Sequence, residues 1–217
     1  MTDLPETKDL ILEAQGSVLT IWFNRPQAKN SLSSEMVSEL HAVLDVAAQD
    51  ASLRTLIIRG KGGVFCAGAD IKGFKSGLQD VEPNAEDVAR GNRFFGDLMI
   101  KLNEQPQTVI MLVEGAAIGG GLGLCCIGDV TIVTRDAKFR LSETSLGIPP
   151  AQIAPFVTER VGLNLNGGAC SILGCPISNF HSTCRHNAVA LVQRLRSIHS
   201  KVPKSGDRIP IRFAIRP

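Results

Sequence analysis

Two glycine-bearing turns, about fifty residues apart, constrain this chain more than any other feature. The first is Phe65-Cys66-Ala67-Gly68-Ala69-Asp70-Ile71-Lys72, and the second is Glu114-Gly115-Ala116-Ala117-Ile118-Gly119-Gly120-Gly121-Leu122-Gly123-Leu124. Each turn follows a short apolar, β-branched run, and the second leads into a helix-like stretch. Turns of this kind can expose backbone N–H groups, and two such groups aimed at one point form an oxyanion hole. The pattern therefore predicts a site for a developing negative charge.

Strands and helices alternate through most of the chain, which predicts an α/β fold. A hairpin turning at Gly16 is expected to join the first two strands. Ser33 is the predicted N-cap of a helix with a strong apolar stripe, and the next helix is expected to turn Phe94, Phe95, Leu98 and Leu102 inward. The predicted strands are residues 9–13, 18–23, 55–58, 108–113 and 130–133, and the predicted helices lie within 33–48, 88–102 and 122–127.

Composition narrows the class of protein. With 217 residues, 44% of them hydrophobic and 20% charged, the chain has enough apolar material for one packed domain and a smaller appendage, and wholesale disorder is excluded. No apolar run reaches the roughly 18 residues of a membrane span. The N-terminal residues 1–6 are acidic and lack the pattern of a secretory signal. A cytoplasmic location with free thiols and no membrane partner is expected.

The charge distribution predicts a boundary near Gly162. Residues 1–162 carry 15 Lys and Arg against 20 Asp and Glu, whereas residues 163–217 carry 8 against 1. The prediction is a core domain over 1–162 followed by an atypical basic segment over 163–217.

A carboxylate downstream of the turns is the candidate acid/base group. Glu143 lies just past a short apolar strand and just before a Gly/Pro loop, a usual place for a catalytic group. Taken alone, Glu143 could equally be a solvated loop residue without a catalytic role. Each glycine turn, taken alone, could equally have a purely structural role. A phosphate-binding loop and a dinucleotide fingerprint are both excluded, because no Gly-Lys-Ser/Thr follows the glycines and no acidic partner lies at the required distance.

Together these motifs resemble the enoyl-CoA hydratase/isomerase (crotonase) superfamily. The segments Asn24-Arg25-Pro26 to Asn30-Ser31-Leu32, Phe65 to Lys72, Gly119 to Gly121, and Phe139 to Gly147 are similar to its motifs in order. The resemblance implies a spiral of repeated ββα units, a coenzyme A thioester as substrate, no cofactor or metal, and a homotrimer or hexamer without nucleic acid.

The resemblance also implies roles for particular residues. The N–H groups of Ala69 and Gly120 would hold the thioester oxygen, and Glu143, its pKa raised by an apolar pocket, would carry the proton. Substrate-binding positions are then Ala28, Ala67, Asp70, Ile71, Gly119 and Gly123.

One departure from the family pattern bears on the reaction. Hydratases of the family usually carry a second glutamate at the position of Gly123, and no carboxylate occurs between Glu114 and Asp129. One-glutamate members include Δ3,Δ2-enoyl-CoA isomerases. The Gly-Gly-Gly-x-Gly-Leu and Leu-Ser-Glu motifs look most like hydratases of branched glutaconyl-CoA esters, such as methylglutaconyl-CoA in leucine breakdown or isohexenylglutaconyl-CoA in terpene breakdown. In that reading, the substrate's own carboxylate occupies the space beside Gly123.

The segment after Gly162 matches nothing in the family, which leaves several hypotheses. An altered reading frame or truncation would produce its charge, cysteines, histidines and prolines, and would leave a non-catalytic homologue that binds coenzyme A. A zinc site from Cys170, Cys175, His181, Cys184 and His186 fits no standard spacing. A basic surface arm that contacts RNA or membrane is the remaining alternative.

Overall fold

A computed structural model describes residues 3–70, 85–143, 150–161 and 212–215. Ile71, residues 144–149 of the Gly/Pro loop and the Cys/His positions of the zinc hypothesis lie outside the described residues. In chain order the elements are β1 (Leu10–Gln15), β2 (Val18–Phe23), α1 (Ser34–Gln49), β3 (Thr55–Gly60), α2 (Ala85–Asn103), β4 (Thr108–Val113), β5 (Ala116–Ile118), α3 (Gly120–Ile127), β6 (Val130–Val133), β7 (Lys138–Arg140), α4 (Ala154–Val161) and β8 (Arg212–Ile215), with short 3-10 turns at Pro26–Ala28 and Lys61–Gly63.

The described strands form a larger and a smaller sheet. The larger has the order β1-β2-β3-β4-β6-β8, in which β2, β3, β4 and β6 run parallel and the two edge strands run antiparallel to their neighbours. The smaller pairs β5 with β7 in parallel. The mixed strands and helices confirm the predicted α/β class. Strand β8 lies within the C-terminal segment and pairs along β6, from Val130 opposite Ile215 to Val133 opposite Arg212.

Local sequence signals account for the first elements. Gly16 has a φ of +59° at the β1–β2 turn, a conformation that glycine adopts without a Cβ penalty. The Ser33 hydroxyl accepts a hydrogen bond from the Met36 N–H at 3.1 Å, which caps α1 as predicted. The apolar stripe of α1 packs on the sheet through buried Met36, Val37, Leu40, Val43, Leu44 and Ala47.

The orientation of α2 differs from the prediction at one residue. Leu98 and Leu102 are buried and Phe95 is partly buried, but Phe94 is 39% exposed. Its ring stacks on the imidazole of His41 with 4.4 Å between centroids, and the His41 Nε2 lies 3.1 Å from the Phe94 carbonyl oxygen. The expectation that Phe94 turns inward was wrong because this position lies at the solvent edge of the α1–α2 contact.

Parallel pairing sets the location of the candidate site. Strands β2, β3 and β4 all end at one edge of the larger sheet, at Phe23, Gly60 and Val113. The loops that follow carry the Asn24–Leu32 motif and the two glycine turns. Since the carboxyl edge of a parallel sheet is where ligands bind in open α/β folds, three segments distant in sequence converge there.

Candidate functional site

Among its described residues, the first glycine turn has a backbone N–H group that is placed to bind a ligand. The Gly68 carbonyl oxygen accepts a hydrogen bond from the Leu32 N–H at 2.8 Å. Because a trans peptide bond places its C=O and N–H on opposite sides, the Ala69 N–H points away from Leu32. Within the described part of the chain this N–H has no acceptor, and Ala69 is exposed. Ala69 is therefore placed to donate to a bound oxygen.

The second turn offers a similar group at the start of α3. Gly119 has φ +53° and ψ −121°, and its carbonyl accepts from the Gly123 N–H at 3.1 Å. The opposite side of that peptide, the Gly120 N–H, points out of the helix terminus and has no acceptor among residues 3–70, 85–143, 150–161 and 212–215. The positive end of the helix dipole adds to its attraction for an anion.

Backbone hydrogen bonds join the two turns directly. The Cys66 N–H donates to Ala116 O at 3.0 Å, and the Ile118 N–H donates to Cys66 O at 2.9 Å. A Cβ built on Gly68, whose φ is +90°, would lie 2.9 Å from Ile118 O and 3.7 Å from Gly119 Cα. Only glycine allows so close an approach, so the residues that precede the two free N–H groups are in contact.

Glu143 lies against the second turn. Strand β7 pairs with β5, and the Gly119 N–H donates to Arg140 O at 2.8 Å, which places the segment after β7 beside this turn. A Cβ built on Gly119 would lie 2.7 Å from Glu143 Oε1 and 3.2 Å from Glu143 Cδ. The carboxylate and the Gly120 N–H are thus neighbours at one edge of the site.

The surroundings of Glu143 make its carboxyl a weaker acid than that of an exposed glutamate. Burial raises the pKa of this carboxyl, and hydrogen bonds from its own backbone and from Ser142 partly offset that rise. The Ser142 Oγ lies 3.5 Å from Glu143 Oε2. The side chain is half-buried, so it can exchange protons while staying partly shielded from water. The direction agrees with the sequence-based expectation and suits a general acid/base.

Apolar side chains wall the site around α3. A Cβ built on Gly120 would lie 3.1 Å from both Leu32 Cδ1 and Phe95 Cζ. One built on Gly123 would lie 2.8 Å from Ile153 Cβ and 3.0 Å from Met99 Cε. Ile153 and Met99 therefore line the space beside Gly123, where the sequence-based hypothesis places a substrate carboxylate.

The remaining candidate positions form the approach to the turns. The Ala67 N–H donates to Lys29 O at 3.1 Å, next to the half-buried Ala28. The Asp70 carboxylate is held by Arg25 at 2.8 Å rather than left open. Ile71 lies outside the described residues. The structure thus brings together Ala28, Ala67, Ala69, Gly119, Gly120 and Glu143, while Gly123 is enclosed by side chains.

Asn30 is a supporting residue that its motif alone did not single out. It is fully buried with a φ of +53°, a conformation that asparagine tolerates better than most residues. Its Oδ1 accepts from the Arg25 N–H at 2.9 Å, and its Nδ2 donates to Lys61 O at 2.9 Å and Val64 O at 2.6 Å. Asn30 therefore ties the Asn24–Leu32 motif to the segment entering the first turn.

The described cysteines serve as core residues. Cys66, Cys125 and Cys126 are buried, and none of them forms a disulfide bond in the described part of the chain. Burial raises the pKa of the Cys66 thiol to about 12 and that of Cys125 well above its usual range, so neither is a thiolate nucleophile at neutral pH. No group of three or more metal-binding side chains occurs among the described residues. Within the same residues, no helix combines the length and apolar character that spanning a membrane requires.

Comparison with known proteins places this geometry in context. The family model for Enoyl-CoA hydratase/isomerase matches residues 13–174. A crystal structure of an enoyl-CoA hydratase/isomerase from Marinobacter aquaeolei is similar with a TM-score of 0.70 and 43% identity, over 78% of this chain and 64% of that one. This similarity confirms the predicted crotonase-type fold.

Two curated relatives differ in their reactions. A probable enoyl-CoA hydratase of Bacillus subtilis (strain 168) is 42% identical over 163 residues, which are 73% of this chain and 60% of the relative. A 1,2-epoxyphenylacetyl-CoA isomerase of Escherichia coli (strain K12) is 31% identical over 172 residues, 78% of this chain and 64% of the relative. The chain thus spans 60–64% of the length of these relatives.

Proposed function

Because this chain belongs to the enoyl-CoA hydratase/isomerase family, we propose that it adds water to the double bond of a 2-enoyl-CoA thioester. The observation that carries the proposal is the contact between the Glu143 carboxylate and the glycine turn that exposes the Gly120 N–H. A proton-transfer group and an anion-binding group then face the same substrate. Membership of the hydratase/isomerase family does not depend on which of these reactions the chain catalyses.

The proposed reaction uses one carboxylate for both proton transfers. Ionised Glu143 takes a proton from water as the oxygen bonds to C3 of the acyl chain. The electrons of the double bond move onto the thioester oxygen, where the N–H groups of Ala69 and Gly120 stabilise the enolate. Protonated Glu143 then returns its proton to C2, so that the elements of one water are added. Loss of one such N–H donor typically costs about 3 kcal/mol of transition-state stabilisation.

A branched glutaconyl-CoA ester is our first candidate for the substrate. The Gly119-to-Leu124 and Leu141-to-Glu143 motifs favour it, and the pathway would then be leucine or acyclic terpene breakdown. Its distal carboxylate would have to bind away from Gly123, because Ile153 and Met99 occupy that space. An unsubstituted enoyl ester is the second candidate, because the apolar side chains of Leu32 and Phe95 suit a hydrocarbon acyl chain.

The isomerase alternative has its own support. A single carboxylate suffices to remove a proton from C2 of a 3-enoyl thioester and return it to C4. The site has Gly123, enclosed by apolar groups, where a second glutamate would assist water. The similarity to 1,2-epoxyphenylacetyl-CoA isomerase shows that isomerases occur among the relatives.

One assay separates these reactions. The full chain is supplied in parallel with a straight 2-enoyl-CoA, a branched glutaconyl-CoA and a 3-enoyl-CoA. Loss of the conjugated enoyl absorbance with formation of a 3-hydroxyacyl product supports hydration, whereas a gain of that absorbance from the 3-enoyl ester supports isomerisation. Binding of all three esters without turnover contradicts both and favours a non-catalytic homologue.

A further inference from the structure

We propose that Arg25 is a positioning residue for the Ala69 N–H, acting through the Asp70 carboxylate. The proposal rests on the proposed function, because it assigns Arg25 a part in holding the thioester oxygen without touching the substrate. It extends the site to a residue that lies 45 positions from its partner in sequence.

The Arg25 guanidinium bridges three separate segments. Its Nη2 lies 2.8 Å from Asp70 Oδ2, its Nε lies 3.2 Å from Asp9 Oδ2, and its Nη1 donates to Ser31 O at 2.6 Å. The side chains of Arg25, Asp9 and Asp70 are only 17%, 14% and 12% exposed. A planar fork with several fixed donors can satisfy such a set, whereas a lysine ammonium is a single point charge on a flexible stem.

The far side of this network is anchored to α1. Asp9 Oδ2 also accepts from the Ser33 hydroxyl at 2.8 Å, and that hydroxyl caps the helix through the Met36 N–H. The Asp9 N–H donates to the buried Glu39 at 3.0 Å. Arg25 therefore connects a rigid helix start to the segment that carries the free N–H.

At the other end of this network, backbone hydrogen bonds hold the residues on either side of Ala69. The Asp70 N–H donates to Leu32 O at 3.0 Å, and the Gly68 carbonyl accepts from Leu32 on the other side. These two bonds orient the backbone, while the Arg25–Asp70 pair adds a constraint directly after Ala69. The Arg25–Asp70 ion pair is thus a side-chain attachment one residue away from the donor. Loosening it would let the Ala69 N–H tilt away from the developing oxyanion.

The expected consequence is a loss of kcat more than a rise in KM. Misplacing a catalytic donor by about 1 Å costs on the order of 100-fold in rate. An interaction that strengthens in the transition state affects kcat, while ground-state binding along Ala28 and Ala67 persists. We expect Arg25→Lys and Asp70→Asn each to lower kcat roughly 10- to 100-fold, with KM changed less than about 3-fold.

The test combines these variants with a chemical rescue. Arg25→Ala should regain activity saturably with guanidinium chloride at millimolar concentration, far below the molar range that unfolds proteins. Sodium chloride at the same ionic strength should not restore it. The matched control is Arg90→Ala, which removes an exposed arginine paired with Asp87 on α2 and should neither lose activity nor respond to guanidinium.

The outcomes are distinguishable from failure of the proposed function. If Glu143→Gln is inactive but Arg25→Lys and Asp70→Asn keep kcat within about 3-fold of the wild type, the positioning role is overturned and the reaction stands. If Arg25→Ala does not fold and guanidinium restores no activity, the test depends on the kcat of Asp70→Asn. A normal kcat in that variant overturns the proposal. If Glu143→Gln keeps full turnover, the proposed function itself fails.

Discussion

The Glu143 carboxylate stands where a side chain on Gly119 would begin, with Oε1 2.7 Å from the Cβ position. Gly119 also has φ +53°, which disfavours other residues independently of the available space. The same glycine therefore shapes the turn that frees the Gly120 N–H and leaves room for the carboxylate. Substitutions at Gly119 and at Glu143 therefore test the same contact.

Replacing Glu143 by glutamine should remove proton transfer while preserving shape. We expect kcat to fall at least ~100-fold, with binding of coenzyme A esters retained, because general acid/base groups contribute about 10²–10⁴-fold. Steady-state kinetics and ester-binding titration measure the two effects. Glu13→Gln, an exposed glutamate on β1, is the control that should keep full activity. Near-normal turnover of Glu143→Gln would refute the assignment of this residue.

Replacing Gly119 by alanine should damage the site more than the fold. The added methyl would displace the Glu143 carboxylate, and we expect kcat to fall about 100-fold. Gly16→Ala is a matched control, since Gly16 has a similar φ of +59° but nothing within 4 Å of its Cβ position. That control should lose about 1–2 kcal/mol of unfolding free energy and keep its kcat. Equal loss of kcat in both variants would show that backbone strain alone accounts for the effect.

The pH dependence should reflect the raised pKa of Glu143. Hydration needs the ionised carboxylate, so kcat/KM should fall as pH drops through this raised pKa. The Ser142 hydroxyl stabilises the charged form, so Ser142→Ala should move the acid limb to higher pH. A pH–rate profile of both proteins measures the shift, with Ser52→Ala, an exposed serine, as the control. An acid limb that stays in place would show that Ser142 does not tune this group.

The same raised pKa has a consequence for stability. The folded state disfavours the charged form, so the contribution of Glu143 is most favourable below its unfolded pKa and is lost as pH rises through the folded pKa. Glu143→Gln should therefore raise the Tm relative to wild type at neutral pH, and less so in acid. Thermal denaturation at two pH values measures this difference. A Tm gain that is equal at both would contradict burial of the carboxylate as its cause.

Replacing Gly123 by alanine should overpack the wall of the site. Its Cβ would lie 2.8 Å from Ile153 Cβ, and we expect a loss of about 1–3 kcal/mol in unfolding free energy. Adding Ile153→Ala should relieve the clash, so the double variant should lose less than the two single losses combined. Gly91→Ala, in α2 with open space at its Cβ, should instead gain about 1 kcal/mol. Simple additivity in denaturant unfolding would mean that Ile153 does not oppose Gly123.

Local patterns were enough to predict some of the elements that carry the site, whereas β5 and α4 were not predicted. The Ser33 cap, the apolar stripe of α1 and the buried run of α3 each follow from spacing within one element, and the structure agrees with them. Such patterns could not predict which residues lie at the solvent edge of a contact between two helices. Phe94 has the helical spacing of a core residue, yet it lies at the solvent edge of the α1–α2 contact, and its partner His41 lies 53 positions away.

The sequence by itself predicted the groups of the candidate site: two glycine turns that can expose backbone N–H groups, one carboxylate at Glu143, and a glycine at position 123 in place of a second glutamate. Only the tertiary structure decided what surrounds these groups. The pairing of β5 with β7 brings Glu143 onto Gly119, Ile153 closes the space beside Gly123, and Arg25 reaches Asp70. Each of these contacts joins residues at least 22 positions apart. The periodicity of a segment indicates which of its own residues lie on one face. Contacts between distant segments depend instead on how the strands align across the sheet.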